Sequence, residues 1–220
     1  MKFILCIEGN TEDLALPQFI KRWLDPQLRT PVGVKPHKFK GCKHFVKDIN
    51  QVVHWYLEDR RADEIIAVMG LMDLYGPDFY PSDKRTTEER YTWAKDYVER
   101  KVNHSKFRMF FAVHEVEAWL FSQPNIFPPA VARAIQSESH HPEAIDFDRP
   151  PKARLKRIYR ETTTEDYRPT TQSADLLKKL RPEVAYAKCP YLKVMLDEML
   201  RLVKDAEKRK RAESPTPGAP

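Results

Sequence analysis

Acidic residues follow three apolar runs of this 220-residue chain. Glu8 comes directly after the first run, Asp73 ends the second, and Glu115 and Glu117 follow the third. Carboxylates that converge in one pocket repel each other strongly unless a cation lies between them. Carboxylate oxygens are also the ligands that Mg²⁺ prefers, and a bound Mg²⁺ can activate water for attack on phosphate. The pattern predicts a magnesium site.

The apolar runs alternate with segments whose apolar residues recur at helical spacing. Short continuous apolar runs are typical of parallel strands that are covered on both faces. Their alternation with helices predicts a small parallel four-stranded α/β sheet flanked by helices, with its site at the carboxyl ends of the strands. The strand-like segments are 3–7, 32–39, 65–69 and 107–113, and the helical segments between them are 16–24, 45–57 and 87–102.

The composition changes after residue 124, where prolines and polar stretches separate short helical pieces. We therefore expect an α/β domain over residues 1–124 and a C-terminal helical cap over residues 125–203. Residues 204–220 are rich in basic residues and then in proline, which favours a disordered tail.

Composition excludes several classes of protein. An apolar content of 41% is enough for a packed core, and 38 basic against 32 acidic residues give a mild bias towards polyanionic partners. Three widely separated cysteines without a Cys-x-x-Cys spacing indicate neither a disulfide framework nor a zinc ribbon. No apolar run approaches the length that spans a bilayer, so we expect a cytoplasmic protein with no membrane partner.

Each acidic residue also has a purely structural interpretation. The segment at Glu8 could be a strand-to-helix turn, with Glu8 and Glu12 complementing the helix N-terminus. Asp73 could cap the turn that follows it, and Asp78 could be a solvated loop residue. If residues 114–121 are helical, Glu115 and Glu117 lie on opposite borders of an apolar face, and only one of them is expected to reach the site.

Three sequence blocks resemble the Toprim superfamily, the metal-binding fold of topoisomerases, bacterial primases and OLD-type (overcoming lysogenization defect) nucleases. Within that superfamily they are similar to the bacterial domain-of-unknown-function family 4276. The blocks are EGNTE at 8–12, MDLYG at 72–76 and HEVEAWLF at 114–121, and weaker similarity continues at 150–154 and 189–191.

The resemblance implies a nuclease that depends on Mg²⁺ or Mn²⁺. It assigns Glu8 and Asp73 as metal ligands and Glu117 as a ligand or a base, with support from Glu12. The second acid of the superfamily's Asp-x-Asp motif is Tyr75 here, so two-metal chemistry would need Asp78 or Glu117 in its place.

A lysine from beyond the Toprim core supports the metal site of OLD-type nucleases. By this analogy Lys152 is the preferred catalytic cation, and Lys84 and Arg85 are its rivals. The family resemblance further implies an ABC- or AAA-type ATPase partner and a role in defence against phage or mobile DNA. The chain itself has no Gly-x-x-x-x-Gly-Lys-Ser/Thr motif, so a nucleotide-driven step would come from that partner.

A basic segment at 149–160 is the best candidate for a nucleic-acid interface, with DNA favoured over RNA. Its six basic residues could equally form a solvated helix face. Together with Lys84 and Arg85, the expected phosphate-binding residues within this segment are Lys152, Arg154, Lys156, Arg157 and Arg160.

Two further hypotheses remain open. The first is a catalytically degenerate Toprim-like subunit that binds or regulates an ATPase complex, which Tyr75 favours. The second is primase-like nucleotidyl transfer, for which no nucleotide-binding motif is present. A homo-oligomer is compatible with each of these functions.

Overall fold

The structure is a computed structural model that describes residues 1–60, 62–144 and 150–213, without the side chains of residues 10–14, 170 and 213. Four parallel strands form one sheet in the order β2-β1-β3-β4, which confirms the predicted fold class. The strands are β1 (Lys2–Ile7), β2 (Gly33–Lys38), β3 (Ile65–Asp73) and β4 (Phe107–Ala112).

Helices connect the strands and continue beyond the last one. The connecting helices are α1 (Asn10–Leu24), α2 (Cys42–Glu58) and α3 (Thr87–Val102). The helices after β4 are α4 (Glu117–Phe121), α5 (Pro129–Ala134), α6 (Pro151–Thr162), α7 (Ala174–Lys179), α8 (Pro182–Lys188) and α9 (Pro190–Glu213), and a π-helical turn at Pro169–Ser173 precedes α7. Of the helices in the described ranges, none is long and apolar enough to cross a membrane.

The sheet separates two cores, because successive side chains of a strand point to opposite faces. Phe3, Leu5 and Ile7 of β1 join the core on the α1 side, whereas Ile4 and Cys6 join the core formed with α2 and α3. Helices that follow β4 contribute to the same core as α1. The division of the chain at residue 124 stays a prediction.

Strand β3 is four residues longer than the apolar run at 65–69 and ends at Asp73. Gly70 lies within the strand, at a close contact: a Cβ there would lie 2.6 Å from the sulfur of Met109. The longer strand brings Asp73 into register with Ala112 of β4. It thereby places the acidic residue at the carboxyl edge of the sheet.

The final helix continues through Glu213, whereas the composition placed the start of a disordered tail at residue 204. Val203 is fully buried in the core, and this contact anchors the helix at the point where the charged residues begin. Lysine, arginine, glutamate and alanine then maintain the helix because each has a high helix propensity. Residues 214–220 lie outside the described part of the chain.

Candidate active site

Glu8 and Asp73 meet because they follow neighbouring parallel strands. Ile7 of β1 pairs in register with Leu71 of β3, so the two strands end at the same edge. There an Oε1 atom of Glu8 accepts a hydrogen bond of 2.9 Å from the backbone N–H of Asp73. The Glu8 carboxylate is thus fixed beside the end of β3.

The chain after β4 makes a turn before α4 begins. His114 lies in the left-handed region with φ of 50°, and its carbonyl accepts a hydrogen bond from the backbone N–H of Tyr75. Oδ1 of Asp73 accepts a hydrogen bond of 3.2 Å from the backbone N–H of Val116. These two bonds join the turn to the end of β3.

Both Glu115 and Glu117 reach the site, so the expectation that only one would do so is wrong. That expectation assumed a helix over residues 114–121, but α4 begins only at Glu117 and Glu115 lies in the preceding turn. The two carboxylates therefore do not share one helical surface. Both are buried, with side-chain exposures of 9% for Glu115 and 3% for Glu117.

Lys152 enters this group of acids from the first turn of α6. Pro151 begins the helix, where its missing N–H costs no hydrogen bond. The next backbone N–H, that of Lys152, donates a hydrogen bond of 2.7 Å to Oε2 of Glu115. The start of α6 is thereby attached to the turn after β4.

The Lys152 ammonium lies among three carboxylates. Its Nζ atom is 3.4 Å from Oε1 of Glu115, 3.7 Å from Oε2 of Glu117 and 3.8 Å from Oδ2 of Asp73. One positive charge therefore faces three acidic groups, with Glu8 bonded to the backbone of Asp73. Among these described residues, acidic groups outnumber basic ones.

Burial raises the pKa of Glu117 to about 7, because a low-dielectric environment disfavours the charged carboxylate. The nearby Lys152 ammonium lowers this pKa, whereas the Glu115 carboxylate raises it. A hydrogen bond from Ser173 also favours the charged form and lowers the pKa. Glu117 can consequently gain or lose a proton near neutral pH.

Ser173 and Tyr167 support Glu117 from the segment before α7. The Ser173 hydroxyl donates a hydrogen bond of 2.9 Å to Oε1 of Glu117, and the Tyr167 hydroxyl is hydrogen-bonded to that of Ser173. All three side chains are buried. The roles of Ser173 and Tyr167 were not predicted from the sequence, because no motif marks these residues. Ser173 also lies 56 residues from Glu117 along the chain.

Asp78 and Glu12 are the two predicted metal ligands whose place in this arrangement the structure does not describe. Asp78 lies on the loop after β3, where its carboxylate is 74% exposed and lies 3.6 Å from the ammonium of Lys43. The side chain of Glu12 lies outside the described residues. The assignment of both as metal ligands stays a prediction.

The two rival cations lie on the same loop, near its end. Lys84 forms an ion pair of 2.7 Å with its neighbour Asp83, and Arg85 is exposed. Of these three candidate cations, Lys152 is the one that the described structure pairs with the buried carboxylates of Glu115 and Glu117.

The basic residues of α6 divide into a structural group and an exposed group. Arg154 is half-buried and forms an ion pair with Glu138, which fixes its position against the segment before α6. Lys156, Arg157 and Arg160 are exposed. The last two form long surface pairs, Arg157 with Glu161 at 3.8 Å and Arg160 with Asp166 at 3.4 Å.

The side chains of the site fit a hard divalent cation, since such a cation prefers oxygen ligands and the site offers carboxylate oxygens. These oxygens already surround one positive charge, the Lys152 ammonium. Within the described ranges, no group of three His, Cys, Asp or Glu side chains is arranged to hold a metal ion directly. The Lys152 ammonium lies between the carboxylates instead.

Comparisons with known proteins agree with the sequence blocks. The family described as "Domain of unknown function (DUF4276)" matches residues 7–200, and the comparison with curated proteins gave no match. The C-terminal region of the Burkholderia pseudomallei OLD protein is 16% identical with a TM-score of 0.47, and the alignment covers 93% of this chain and 98% of that one. The C-terminal region of the Xanthomonas campestris pv. campestris OLD protein is 15% identical with a TM-score of 0.45, and 96% of each chain is covered.

Proposed function

Because the chain belongs to the family described as "Domain of unknown function (DUF4276)", and three carboxylates of its matched region converge on one lysine, we propose that it is a metal-dependent phosphodiesterase that cleaves nucleic acid. The observation that carries the proposal is the convergence of Asp73, Glu115 and Glu117 on Lys152 at the carboxyl edge of the sheet. This edge is where parallel α/β folds place their reactive groups.

Glu8, Asp73 and Glu117 are the residues that would hold Mg²⁺ or Mn²⁺, with Glu12 and Asp78 as additional predicted ligands. The bound ion would neutralise phosphate charge and lower the pKa of a water molecule. Glu117 is either a ligand or the general base. Its pKa of about 7 suits proton transfer near neutral pH, and the Ser173 bond orients Oε1 so that Oε2 remains directed towards the Lys152 ammonium.

Lys152 supplies the positive charge for the phosphate that is cleaved. The bond between Glu115 and the backbone of Lys152 fixes the position from which this side chain extends, and the ammonium is the cation nearest the buried acids among the three candidates. A preorganised charge of this kind stabilises the negative charge that develops on phosphate oxygens during hydrolysis.

The substrate would be nucleic acid, with DNA favoured over RNA. The exposed side chains of Lys156, Arg157 and Arg160 continue along α6 from Lys152 and are suited to neighbouring phosphates. Lys84 and Arg85 at the end of the loop after β3 would make further backbone contacts. The half-buried Arg154 belongs to the same predicted set, although its pairing with Glu138 gives it a structural role as well.

The cellular role that we propose follows from the family resemblance. The protein would act in the cytoplasm as the nuclease subunit of a defence system against phage or mobile DNA, with an ABC- or AAA-type ATPase as partner and self-association as a further possibility. Co-purification with an ABC- or AAA-type ATPase tests this assignment separately from the chemistry of the site.

The central test is cleavage of plasmid DNA, single-stranded DNA and total RNA in Mg²⁺ and in Mn²⁺. The Asp73→Asn variant is expected to lose cleavage and to retain the fold, because the amide preserves shape but removes the charge. Asp83→Asn is the matched control, since Asp83 lies on the loop after β3 and is 67% exposed. Cleavage that survives Asp73→Asn at the wild-type rate contradicts the proposed site.

A second candidate function is a binding or regulatory subunit on a degenerate Toprim-like scaffold. It is favoured by Tyr75, which takes the place of the second acid and is 41% exposed. This function predicts no cleavage by the isolated chain in either metal and a stable complex with the ATPase. Cleavage by the isolated wild-type chain that Asp73→Asn abolishes contradicts it.

A further inference from the structure

We propose that Lys152 is an exchangeable internal cation of this site. In the absence of a divalent ion its ammonium neutralises Asp73, Glu115 and Glu117, and when a divalent ion binds, the side chain leaves the acids and becomes a ligand for a substrate phosphate. This inference rests on the proposed function, because it assumes that Asp73 and Glu117, two of these three acids, hold the ion together with Glu8.

Lys152 differs from the paired surface lysines in the number of carboxylates that it faces. Its ammonium is 3.4–3.8 Å from three carboxylates, whereas Lys2, Lys43 and Lys193 are each paired with one carboxylate, at 2.8, 3.6 and 2.7 Å. Lys152 thus lies at a position that the three acids share. A central position among oxygen donors is the place that a divalent ion would take.

The ammonium and a divalent ion cannot share that position. Mg²⁺ binds carboxylate oxygens at about 2.0–2.1 Å, so these oxygens must move inwards from their present distances around the ammonium. Two positive charges this close together repel each other, and the double charge of the ion roughly doubles the repulsion.

The exchange needs no movement of the backbone. Glu115 holds the Lys152 N–H through Oε2, so α6 stays attached while the side chain turns away. The Lys152 side chain is 32% exposed, whereas the Glu115 and Glu117 side chains are almost completely buried. The four-carbon stem of lysine can therefore carry its charge towards solvent, where Lys156 lies one helical turn further along.

The charge balance favours the same exchange. One ammonium leaves an excess of negative charge among Asp73, Glu115 and Glu117, and a divalent ion compensates more of it than Lys152 does. Once displaced, the ammonium is close to the site and has lost its acidic partners. A phosphate oxygen of the substrate then offers the charge-assisted hydrogen bond that the carboxylates provided before.

Titration of Mn²⁺ into the full-length protein by calorimetry tests the exchange. Lys152→Met keeps an unbranched side chain and removes the charge. This variant is expected to bind Mn²⁺ about tenfold more tightly than the wild type, because it loses the competing state in which the Lys152 ammonium lies among the carboxylates. Lys156→Met is the matched control on the same helix and is expected to bind Mn²⁺ as the wild type does. Equal or weaker binding by Lys152→Met overturns the inference while leaving the proposed metal site intact.

Failure of the proposed function gives a different result. If the wild type binds no Mn²⁺ and Lys152→Met binds none either, both the metal site and the exchange are overturned. If the wild type binds Mn²⁺ and Asp73→Asn does not, the proposed metal site is supported. The exchange is then decided by the Mn²⁺ affinity of Lys152→Met.

A measurement on the wild type avoids any loss of folding in the variant. The rate at which an amine-modifying reagent labels Lys152, followed by mass spectrometry of the peptide, reports how accessible the ammonium is. Mn²⁺ is expected to increase the labelling rate of Lys152 severalfold and to leave that of Lys156 unchanged. A Lys152 rate that does not change, or that falls, when Mn²⁺ saturates the protein overturns the exchange.

Discussion

Glu115 binds Lys152 at both ends of the lysine residue: Oε2 accepts a hydrogen bond of 2.7 Å from the backbone N–H, and Oε1 lies 3.4 Å from the side-chain ammonium. A carboxylate in the turn after β4 therefore attaches α6 and also helps to hold the charge that α6 brings to the site. Structural support and the chemistry of the site depend on the same side chain.

The attachment of α6 predicts a difference between two substitutions of Glu115. Glu115→Ala leaves the partly buried N–H of Lys152 without this acceptor, so the free energy of unfolding is expected to fall by about 1–3 kcal/mol. Glu115→Gln keeps an oxygen acceptor, so its free energy of unfolding is expected to fall less than that of Glu115→Ala. Urea unfolding measures the free energies, and hydrogen exchange is expected to increase in the first turn of α6.

Glu161→Ala is the control for this comparison. Glu161 lies on α6 with a 63% exposed side chain, and its substitution is expected to change the free energy of unfolding by less than about 0.5 kcal/mol. The attachment is contradicted if Glu115→Ala and Glu161→Ala destabilise the protein equally and exchange in the first turn stays slow.

The Ser173 bond predicts a change in the pKa of Glu117. Since the hydroxyl donates to the carboxylate and favours its charged form, Ser173→Ala is expected to raise this pKa above its value of about 7 in metal-free protein. Titration of ¹³C-labelled glutamate carboxyls by NMR measures the shift. Ser122→Ala is the matched control because it removes another buried hydroxyl, one that donates to the Trp119 carbonyl. A lower or unchanged Glu117 pKa in Ser173→Ala contradicts the orienting bond.

The sequence predicted the sheet because its signal is local and repeated. Continuous apolar runs mark strands that are covered on both faces, and the carboxyl ends of parallel strands lie at one edge. This reasoning placed Glu8 beside Asp73, and the hydrogen bond between them shows that they do meet. The clearest β pattern stopped at residue 69, because a glycine usually weakens a strand, but the strand's end at Asp73 was predicted.

The surroundings of the acids were less predictable because they depend on backbone geometry and on distant segments. A positive φ at His114, which is uncommon outside glycine, separates Glu115 from α4 and lets both glutamates reach Lys152. Ser173 reaches the site from a π-helical turn that no periodicity indicates. A contact formed by tertiary packing between segments far apart in sequence leaves no pattern in either one.

Glu143 predicts how stability depends on pH. Its buried carboxylate accepts hydrogen bonds from the backbone N–H groups of Tyr191 and Leu192 in the first turn of α9, yet burial raises its pKa to about 7 from an ordinary 4.5. The folded state therefore binds the proton more tightly than the unfolded state does. Its contribution to stability is greatest below pH 4.5 and falls as the pH rises towards 7.

The difference between these two pKa values corresponds to roughly 3 kcal/mol at most. Glu143→Gln is neutral at every pH, so its free energy of unfolding is expected to fall less between pH 5 and 7.5 than that of the wild type. Urea unfolding in EDTA at both pH values measures this, with the exposed Glu161→Gln as control. Glu117, whose pKa is also raised, contributes in the same direction to each protein. Equal pH dependence in Glu143→Gln and the wild type contradicts the assignment.

The nucleic-acid interface that we propose on α6 predicts how DNA binding would depend on salt. Each phosphate contact contributes about 0.9 to the slope of log K against log salt for duplex DNA, so the double variant Lys156→Gln/Arg160→Gln is expected to reduce the slope by about two. Fluorescence anisotropy with a labelled duplex at several salt concentrations measures it. The double variant Lys178→Gln/Lys179→Gln removes the same charge from an exposed part of α7 and is expected to leave the slope unchanged. An interface on α6 is contradicted if the two double variants change the slope equally, because general electrostatic attraction would then account for binding.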